Sequence, residues 1–578
     1  MYSKITKILA LSVLILLVIS STASAQEWVV TAKGDKEKIN TSTIALENMT
    51  LREAIIKSNS GDTITFASNI TEVNVMFGTL DISKNLTIDG NARVVIRKDP
   101  SPITQDLTIF TISGADVTLR QLTIENGSVI NGNGGAISAN RANVTLESST
   151  IQRNRAEYGG AVYAENGSNI KLISTTVFRN NATLGGSAIY VKSGNLELQN
   201  SLIDGHTGRY DVIKIDQGKL TGSQSRIINN EITERGSPIT AAAGTTVEFR
   251  SSTFSNNTAK DSAGITTHGT LTVDNCVFDG GKTTGSGGGI SLKSESVGTI
   301  RYSIFSNATV TADGGGINMD AGSKAVIDSC TFINNIAEYG GAFFSRGDLT
   351  ATSNTAVNNT ARFYGGAVAL WNSGTATLTK NVIVGNNAKS NNTQKDAGGG
   401  GMNISNSNAM LSSNVVLGNT DPRIIDFGEE NATVRSGGNN IIGTYRGSAR
   451  FPIDASDLAG ISVEDVFVMN GGTPSLTKST GQTAGYDNIP VYTVTLNSSS
   501  SNPAASILGE YVPQQPQPPV EDDTPQNPAP EPPVDSGNKL KLTTILMFAV
   551  IGIILLVVLA VAAVFLLKYR QKKQYEFK

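Results

Sequence analysis

The side chains best suited to acid–base chemistry are gathered in the stretch IDGHTGRYD, residues 203–211. Asp204, His206, Arg209 and Asp211 would supply two carboxylates, an imidazole and a guanidinium. Enzymes that cleave polysaccharides use such a set, because it can move a proton at the bond to be broken and hold a charged group beside it. The folded chain would have to bring the four side chains to one face.

A structural interpretation competes with this chemistry. In register with the repeats described below, His206 takes the place of a turn asparagine. The other histidine, His268, lies in a corner similar to that of Glu165 and Asn166. Substitution within a turn accounts for both histidines. We therefore predict no catalytic residue, and we expect that the protein is not an enzyme.

Metal and cofactor ligands are not clustered in the sequence. Asp313, Asp320 and Asp328 are scattered, and the nonapeptide array of calcium-binding β-helices is missing. The two cysteines and two histidines do not have the spacing of a zinc site. We predict neither a metal nor a cofactor.

Aromatic residues precede several glycines and could serve a different chemistry. Tyr158, Tyr339 and Tyr364 each stand before a Gly-Gly pair, and Trp371 follows nearby. Such rings could form a strip on which sugar rings stack. The sequence favours the alternative, that the rings stack on one another along the fold.

A short repeat must position all of these residues. Gly-Gly pairs recur within two clusters at intervals of 25 to 27 residues, and degenerate copies fill the gap between the clusters. The pairs are Gly134-Gly135, Gly159-Gly160, Gly185-Gly186, Gly288-Gly289, Gly315-Gly316, Gly340-Gly341 and Gly365-Gly366. The near-identical segments at residues 151–163 and 332–344 are then copies of one repeat and do not need a duplicated domain.

Each repeat also carries an apolar residue followed three positions later by asparagine. These predicted turn asparagines are Asn154, Asn180, Asn257, Asn335 and Asn387. Short alternating segments such as NVTLESSTI precede them, and this alternation predicts strands. Three short strands per period predict one coil of a parallel β-helix, whose corners suit glycine and asparagine and whose asparagine amides can hydrogen-bond from coil to coil.

The two motifs together resemble the polymorphic outer-membrane-protein repeats of right-handed β-helix surface proteins. Residues 50–66 resemble the N-terminal segment of bacterial extracellular repeat proteins, and residues 436–443 and 469–487 resemble their closing coils. The resemblance implies an all-β, right-handed parallel β-helix. Bacterial members often end in a β-barrel or a sorting tail, whereas this chain ends in an apolar segment, which favours a plasma membrane over an outer membrane.

A short helix is predicted before the first coil. Leu51, Ala54, Ile55 and Ser58 fall on one helical face, with Thr50 as the N-cap. We expect this helix to cover the open strand edge of the first coil.

The chain ends predict the location of the protein. Residues 1–25 have the pattern of a cleaved signal peptide rather than an uncleaved anchor. Residues 542–567 form an uncharged run long enough to span a bilayer, followed by a basic tail, so a cleaved lipid-anchor signal is disfavoured. We predict a single-pass protein at the plasma membrane, with its N-terminus outside the cell.

These segments define the predicted domains. They are the signal peptide (1–25), the N-terminal cap (26–61), the β-helix (62–510), a proline-rich stalk (511–541), the transmembrane helix (542–567) and the cytoplasmic tail (568–578).

Composition limits the partners. The formal net charge of −3 gives no sign of a nucleic-acid partner, and we predict none. Fifteen N-x-S/T sequons occur outside the membrane segment, and in a host that glycosylates we expect the exposed ones to be modified. They are Asn40, Asn48, Asn69, Asn85, Asn126, Asn143, Asn166, Asn181, Asn256, Asn307, Asn358, Asn391, Asn403, Asn431 and Asn497.

The only two cysteines, Cys276 and Cys330, occupy the same repeat position two periods apart, with Ser303 in the copy between them. Stacked two rungs apart, their Cα atoms would be separated by about 9.6 Å, too far for a disulfide. We predict two buried, free thiols.

The resulting functional hypothesis is a stalked surface protein that binds an extracellular glycan or protein for adhesion or recognition. The alternative is a membrane-tethered polysaccharide lyase or glycoside hydrolase of the pectate-lyase-like fold. A cluster of carboxylates and bases in one groove would favour the enzyme, because the fold itself hosts both functions.

Overall fold

The structure is a computed structural model that describes residues 25–37, 39, 46–101, 105–389, 398–447, 453–460, 462, 467–470 and 473–478. The predicted signal peptide (apart from its last residue), stalk, transmembrane helix and cytoplasmic tail lie outside these residues. Among the described residues, no helix is long and apolar enough to cross a membrane.

One turn of the fold shows how the sequence repeat becomes structure. Strands Asn143–Glu147 and Thr150–Gln152 are followed by Arg155–Tyr158, a glycine corner and Val162–Glu165. The next turn begins with Ser168–Ile173, which pairs in parallel with Asn143–Glu147 so that Asn143 lies beside Asn169. The chain therefore winds as a parallel β-helix, and each residue of one turn lies beside its equivalent in the next.

Sheet A contains the first two strands of each turn, 30 strands in all. They are Glu27–Val30, Asp62–Phe66, Glu72–Val75, Leu86–Lys98, Asp116–Glu125, Asn143–Glu147, Thr150–Gln152, Ser168–Ile173, Thr176–Phe178, Gly194–Gln199, Leu202–Asp204, Gly218–Ser223, Arg226–Ile228, Thr246–Arg250, Thr253–Ser255, Thr270–Asp274, Val277–Asp279, Val297–Arg301, Ile304–Ser306, Lys324–Asp328, Thr331–Ile333, Asp348–Thr352, Thr355–Val357, Thr375–Thr379, Val382–Val384, Asn408–Ser412, Val415–Leu417, Thr433–Ser436, Ile441–Ile442 and Leu458–Ala459.

Sheet B contains 15 strands. Each turn of the β-helix leads from one of these strands to the next, so the 15 strands are joined by 14 turns. The strands are Leu80–Ile82, Phe110–Ser113, Ile137–Asn140, Val162–Glu165, Ile189–Val191, Ile213–Ile215, Ile239–Ala241, Ile265–Thr267, Ile290–Leu292, Ile317–Met319, Phe343–Ser345, Val368–Trp371, Met402–Ser405, Phe427–Glu430 and Tyr445–Arg446.

Sheet C contains eight two-residue strands between sheets A and B. They are Thr207–Gly208, Glu231–Ile232, Thr258–Ala259, Lys282–Thr283, Thr309–Val310, Ile336–Ala337, Thr360–Ala361 and Asn387–Ala388. Two further strand pairs are Arg155–Tyr158 with Asn181–Gly185 in parallel, and Phe467–Asn470 with Thr473–Lys478 antiparallel.

Inward side chains of successive turns form continuous apolar rows. Phe254, Phe278, Phe305 and Phe332 stack face to face, with ring centroids 4.7 to 5.0 Å apart and ring planes within 10° of parallel. Because a sheet repeats its rungs every ~4.8 Å, identical residues in register stack without adjustment. The same register places Cys276 and Cys330 two turns apart, and both are buried and free.

The glycine corner before each strand of sheet B has two special positions. At the first, the backbone is left-handed, with φ of 70° at Gly134 and 61° at Gly340. At the second, no side chain fits, since a Cβ on Gly315 would lie 1.9 Å from the carbonyl oxygen of Gly341 in the next turn. The predicted pairs Gly134-Gly135, Gly159-Gly160, Gly340-Gly341 and Gly365-Gly366 occupy these two positions.

The other three predicted pairs are one residue out of register. The left-handed glycine is Gly186, Gly287 or Gly314 in those turns, so Gly288 and Gly315 are second rather than first. The runs of three glycines at 287–289 and 314–316 made the choice of pair ambiguous in the sequence.

Buried asparagines connect the turns at the corner that follows sheet A. Asn154 donates from its backbone and side-chain nitrogens to Oδ1 of Asn180, both at 2.9 Å. Asn335 and Asn359 repeat the arrangement. The left-handed residue that sharpens the corner is the one before the asparagine, such as Arg153 with φ of 55°. The asparagine therefore satisfies backbone donors of its neighbours, which a buried corner needs.

One predicted turn asparagine is wrong. Asn387 is exposed and lies in a strand of sheet C, and the buried position belongs to Asn386, which donates to Oδ1 of Asn419 at 2.9 Å. The preceding strand places Ile383, not Val384, in the inward row, beside Ala356. Adjacent asparagines in the sequence allowed both registers.

The N-terminal segment begins with a strand that the sequence pattern did not predict. Glu27–Val30 pairs in parallel with Asp62–Phe66 and adds a strand to sheet A. A single turn of 3-10 helix, Leu46–Asn48, precedes the α-helix Leu51–Lys57. Thr50 caps this α-helix in a capping box with Glu53, and Arg52 pairs with Asp35 at 2.7 Å. The proposed covering of the first coil stays a prediction.

Candidate functional site

The outer face of sheet B is the row formed by the second residue of each strand, which points away from the core. In the middle turns this row is small and polar: Thr240, Thr266, Ser291 and Asn318 lie side by side in register. The row then changes abruptly, because Phe344 follows Asn318. The row of small polar residues ends at this point, although the fold does not require a larger side chain there. We therefore take the surroundings of Phe344 as the candidate site.

A group of five rings surrounds that position, and we call it the Tyr339 cluster. It comprises Tyr339, Phe344, Phe363, Tyr364 and Trp371. Tyr339 is central: its ring centroid lies 5.2 Å from that of Phe363 and 5.3 Å from that of Trp371, to which it is nearly perpendicular. Phe344 is buried beneath the others, which are half-buried.

Adjacent turns place these rings together. Tyr339 and Tyr364 precede the glycine corners of two successive turns, whose backbones meet where Gly340 donates to the Tyr364 carbonyl oxygen. Trp371 ends the strand Val368–Trp371 and points outward, because Val368 and Leu370 are in the core. Tyr339 therefore contacts both Tyr364 and Trp371, as the favoured interpretation of stacking between the rings expects.

Charged groups lie beside the rings. Arg346 packs over Phe344, and its Nη2 is 3.7 Å from Oδ2 of Asp313. Burial raises the pKa of Asp313 to about 6 against the opposing effect of Arg346, and Glu338 and Asp320 raise it further. In the neighbouring turn, Asp320 pairs with Lys293 at 3.3 Å. Carboxylates and cationic side chains thus meet on neighbouring coils, and the raised pKa brings the carboxyl of Asp313 closer to neutral pH.

Sequence reasoning missed this cluster. Asp313 and Asp320 were considered only as scattered metal ligands, and Arg346 was not considered. Their common signal is positional: Asp313 stands just before a glycine corner, as Tyr339 does, and Asp320 and Arg346 each follow a strand of sheet B. Comparing equivalent positions of successive repeats would have placed them side by side.

A second aromatic group on the same sheet forms a closed network. Tyr163 and Tyr190 lie side by side, and the Tyr163 hydroxyl donates to Glu165 at 3.1 Å. The Tyr190 hydroxyl donates to Asp216. Burial first, and then these carboxylates, raise the pKa of both hydroxyls. Tyr158, the other tyrosine considered for a sugar strip, packs on Tyr190 with ring centroids 5.2 Å apart, as the favoured interpretation of stacking between rings expects.

The fold separates the four side chains of the acid–base stretch at residues 203–211. His206 is fully buried among the corner asparagines: its Nδ1 donates to Oδ1 of Asn230 at 3.1 Å, and its Nε2 faces the Asn180 amide at 3.4 Å. Burial lowers its pKa to about 4. Asp204 accepts a hydrogen bond from Asn229 at 2.9 Å.

The other two members of that stretch point elsewhere. Arg209 forms an exposed pair with Glu234 at 2.6 Å. Asp211 is buried at a glycine corner, where it accepts hydrogen bonds from Ser237 and Thr240, and burial raises its pKa. The four side chains therefore do not form one site, and His206 takes the place of an asparagine as the repeat register predicts.

Among the described residues, no group of three or more histidines, cysteines, aspartates or glutamates is arranged to hold a metal ion. His268, the second histidine, is exposed and follows a strand of sheet B.

The predicted glycosylation sites differ in exposure. Of the twelve within the described residues, Asn403 is buried and Asn307 is half-buried. The exposed ones are Asn48, Asn69, Asn85, Asn126, Asn143, Asn166, Asn181, Asn256, Asn358 and Asn431. Asn40, Asn391 and Asn497 lie outside the described residues.

Comparison with known proteins supports the fold. Residues 220–409 match the family described as right handed beta helix region. The match supports the predicted fold at this level and does not extend to the polymorphic outer-membrane-protein repeats. No curated protein sequence matches the chain.

Solved structures resemble the chain only distantly. One is the periplasmic alginate epimerase AlgG, with 10% identity over 65% of this chain and 84% of that one, and a TM-score of 0.28. Another is a PL6 alginate lyase in complex with a trisaccharide, with 14% identity over 78% of this chain and 91% of that one, and a TM-score of 0.27.

These neighbours correct one expectation. The sequence led us to expect that the protein is not an enzyme, but both similar structures are enzymes, so that expectation is withdrawn. At these TM-scores the likeness assigns no activity to this chain. The shared conclusion concerns the fold: the chain contains a right-handed β-helix region, and its described turns form an all-β, right-handed parallel β-helix.

Proposed function

We propose that this chain is a single-pass cell-surface protein whose β-helix binds an extracellular ligand for adhesion or recognition. The observation that carries the proposal is the Tyr339 cluster, a patch of mostly half-buried rings that follows a small and polar stretch of the outer face of sheet B. Rings that the core does not need remain in contact with water, which is unfavourable unless a ligand covers them. A long, regular scaffold is well suited to hold such a patch away from the membrane.

Several finer assignments belong to this proposal. The signal peptide at 1–25, the stalk at 511–541 and the transmembrane helix at 542–567 would place the β-helix outside the cell. The helix Leu51–Lys57 would protect the first coil, and the repeats would be of the polymorphic outer-membrane-protein type. Each is supported by the sequence patterns described above.

Binding to cells or extracellular matrix tests the proposal. Full-length protein on expressing cells should bind the matrix or partner cells, and replacing Trp371 and Tyr339 with alanine should weaken this binding by tenfold or more. Lys171→Ala and Lys219→Ala on the outer face of sheet A, where these lysines form surface ion pairs, serve as the matched control. Adhesion that is absent, or unchanged in the cluster variant, would refute the proposal.

A second candidate function is carbohydrate-active catalysis at the same face. Asp313, with its raised pKa, Arg346 and Asp320 form the mixed cluster of carboxylates and bases that this alternative requires. Incubating the full-length protein with acidic and neutral polysaccharides and measuring chain length would test it. Turnover that is lost in Asp313→Asn would establish the enzyme, and intact polymers would leave recognition as the function.

A further inference from the structure

We propose that the Tyr339 cluster is a binding site for a neutral saccharide, with one sugar ring against Trp371 and Tyr339 and its hydroxyls hydrogen-bonded to Asp313 and Arg346. The inference deepens the proposed function by naming the chemical class of the ligand. Four observations carry it.

First, the rings are surplus to the core. The inward row of the same turns is already complete, because Phe343, Val368 and Leu370 fill it with at most 2% of their surface exposed. Tyr339, Phe363 and Trp371 lie outside that row and are only half-buried. The C–H face of a sugar is apolar and flat, so it covers such rings without removing many polar groups from water.

Second, the polar atoms of the rings are available. Within the described residues, neither the Tyr339 hydroxyl nor the Trp371 Nε1 has a hydrogen-bond partner. The equivalent hydroxyls of Tyr163 and Tyr190 are both bound to carboxylates. The two aromatic groups on sheet B therefore differ: one is closed by its own hydrogen bonds and the other offers a donor from each of two rings.

Third, a carboxylate and a guanidinium face the rings without being fully committed to each other. The Asp313–Arg346 separation of 3.7 Å is longer than a hydrogen bond, so each group can still form a hydrogen bond with a sugar hydroxyl placed beside the pair. Sugar hydroxyls both donate and accept hydrogen bonds. A carboxylate can accept from such a hydroxyl, and a guanidinium can donate to it.

Fourth, the charges balance. Asp313, Asp320 and Glu338 are matched by Lys293, Arg346 and Arg362, so the formal charge around the rings is zero. Lys293 is already paired with Asp320, and Arg362 packs over Phe363. An acidic sugar would bring a second carboxylate beside Asp313, and Arg346 would then face two acidic groups at once. A neutral sugar is therefore the better fit.

Tryptophan fluorescence provides a direct test, because the chain has only two tryptophans. Trp28 is buried in the first strand of sheet A, where its Nε1 donates to Asp62 at 2.8 Å, so it contributes a constant background. Full-length protein in detergent is titrated with neutral hexasaccharides of glucose, mannose and N-acetylglucosamine, and with hexagalacturonate as the acidic probe. We expect a saturable change in emission with at least one neutral hexasaccharide, and weaker binding of hexagalacturonate.

Variants locate the binding. Trp371→Phe should abolish the change in emission, and Tyr339→Ala should weaken binding, measured by calorimetry, by about tenfold. Tyr190→Phe, on the closed aromatic group of the same sheet, should bind like the native protein. Far-ultraviolet circular dichroism confirms that each variant is folded.

Three results would overturn the inference: no saturation with any neutral probe, tighter binding of hexagalacturonate, or native affinity in Tyr339→Ala. The adhesion experiment described above separates this failure from failure of the proposed function. Cells that still adhere through the cluster while all saccharides fail would indicate a protein ligand, and would refute only the saccharide.

Discussion

At the scale of single residues, the corners of the β-helix contain buried polar side chains that form hydrogen bonds with the neighbouring turns. His206 shows the consequence most clearly. It replaces an asparagine in a buried corner and has to stay neutral there, since its Nε2 faces an amide donor of Asn180. A proton on that nitrogen would place two donors against each other.

His206 should make stability depend on pH. Its pKa is about 4 in the folded protein and about 6.5 when unfolded, so only the unfolded state binds the proton between these values. The free energy of unfolding should therefore fall by about 3 kcal/mol as the pH is lowered from about 7.5 to 4, and His206 should add no further change at higher pH. Urea unfolding at a series of pH values measures it.

The control is His206→Asn, which restores the residue found in neighbouring turns. Other groups that titrate in this range, Asp313 among them, are common to both proteins and cancel in the difference. Equal pH profiles for the two proteins would contradict the prediction.

The two thiols should behave as small core residues. Burial raises the pKa of Cys276 to about 11, and its Sγ donates to the Asp274 carbonyl oxygen at 3.4 Å, as Ser303 Oγ donates to that of Arg301 at 2.7 Å. Cys276→Ser should therefore change the free energy of unfolding by less than about 1 kcal/mol. Cys276→Val, which loses the donor, should cost about 1–3 kcal/mol. Thermal unfolding compares the two.

Thiol reactivity gives an independent measurement. The native protein should react slowly with a thiol reagent because both cysteines are buried, whereas the unfolded protein should react at two thiols. A Cys276–Cys330 crosslink in mass mapping of non-reduced protein would contradict both the register and this prediction.

Residues at the inward positions could be predicted from the sequence, and outward sites could not. Phenylalanines and cysteines recur at fixed intervals because the core repeats, and this periodicity is visible in one dimension. Asp313 and Arg346 have no such period, and they meet only because adjacent turns stack in register. Asn387 was misassigned for a simpler reason, that two asparagines are adjacent and only one can be buried.

At the scale of elements, the third residue of the glycine corner is adjusted to the core row behind it. It is glycine at 264, 289 and 316, where the next turn contributes Phe278, Phe305 or Phe332 to the row, and a Cβ at any of these positions would lie within 2.9 Å of that ring. It is Ala161 or Ala188 where the row contains Val177 or Ile203. In these five turns, the size of the corner residue therefore varies with the size of the inward side chain.

This pairing predicts a coupled pair of substitutions. A Cβ on Gly289 would lie 2.6 Å from the Phe305 ring, so Gly289→Ala should cost about 1–3 kcal/mol through overpacking. Phe305→Val alone leaves a cavity and is also destabilising. Together they should cost less than the sum of the two, and a double-mutant cycle by urea unfolding measures the difference. Strict additivity would contradict the proposed contact.

The N-terminal helix illustrates a local prediction that the tertiary structure completes. The N-cap Thr50 and the apolar face of Leu51–Lys57 can be predicted from short-range sequence patterns, and the structure contains the N-cap as part of a capping box. The pairing of Glu27–Val30 with Asp62–Phe66 could not be predicted. A four-residue strand is too short to show a clear alternation of apolar residues, and its partner strand is distant in the sequence.

At the scale of the whole molecule, membrane topology is the assignment that most needs a test. An epitope inserted after Gln26 should be accessible to antibody on intact cells, and one added after Lys578 only after permeabilisation. Removing residues 542–578 should release the protein into the medium. A C-terminal epitope that is accessible on intact cells would contradict the predicted orientation.

The position of the Tyr339 cluster along the β-helix has a mechanical consequence. Trp371 ends the twelfth of the fifteen strands of sheet B. If a ligand held there by Asp313, Arg346 and Trp371 were pulled against the proposed membrane anchor, tension would pass through the chain that follows Asp313, which precedes the tenth strand, and the nine earlier rungs would carry no load. Their hydrogen bonds could not yield under force, so resistance to pulling should depend on the last rungs alone. Weakening the Asn414–Asn440 amide contact should lower the rupture force, whereas weakening Asn154–Asn180 should leave it unchanged.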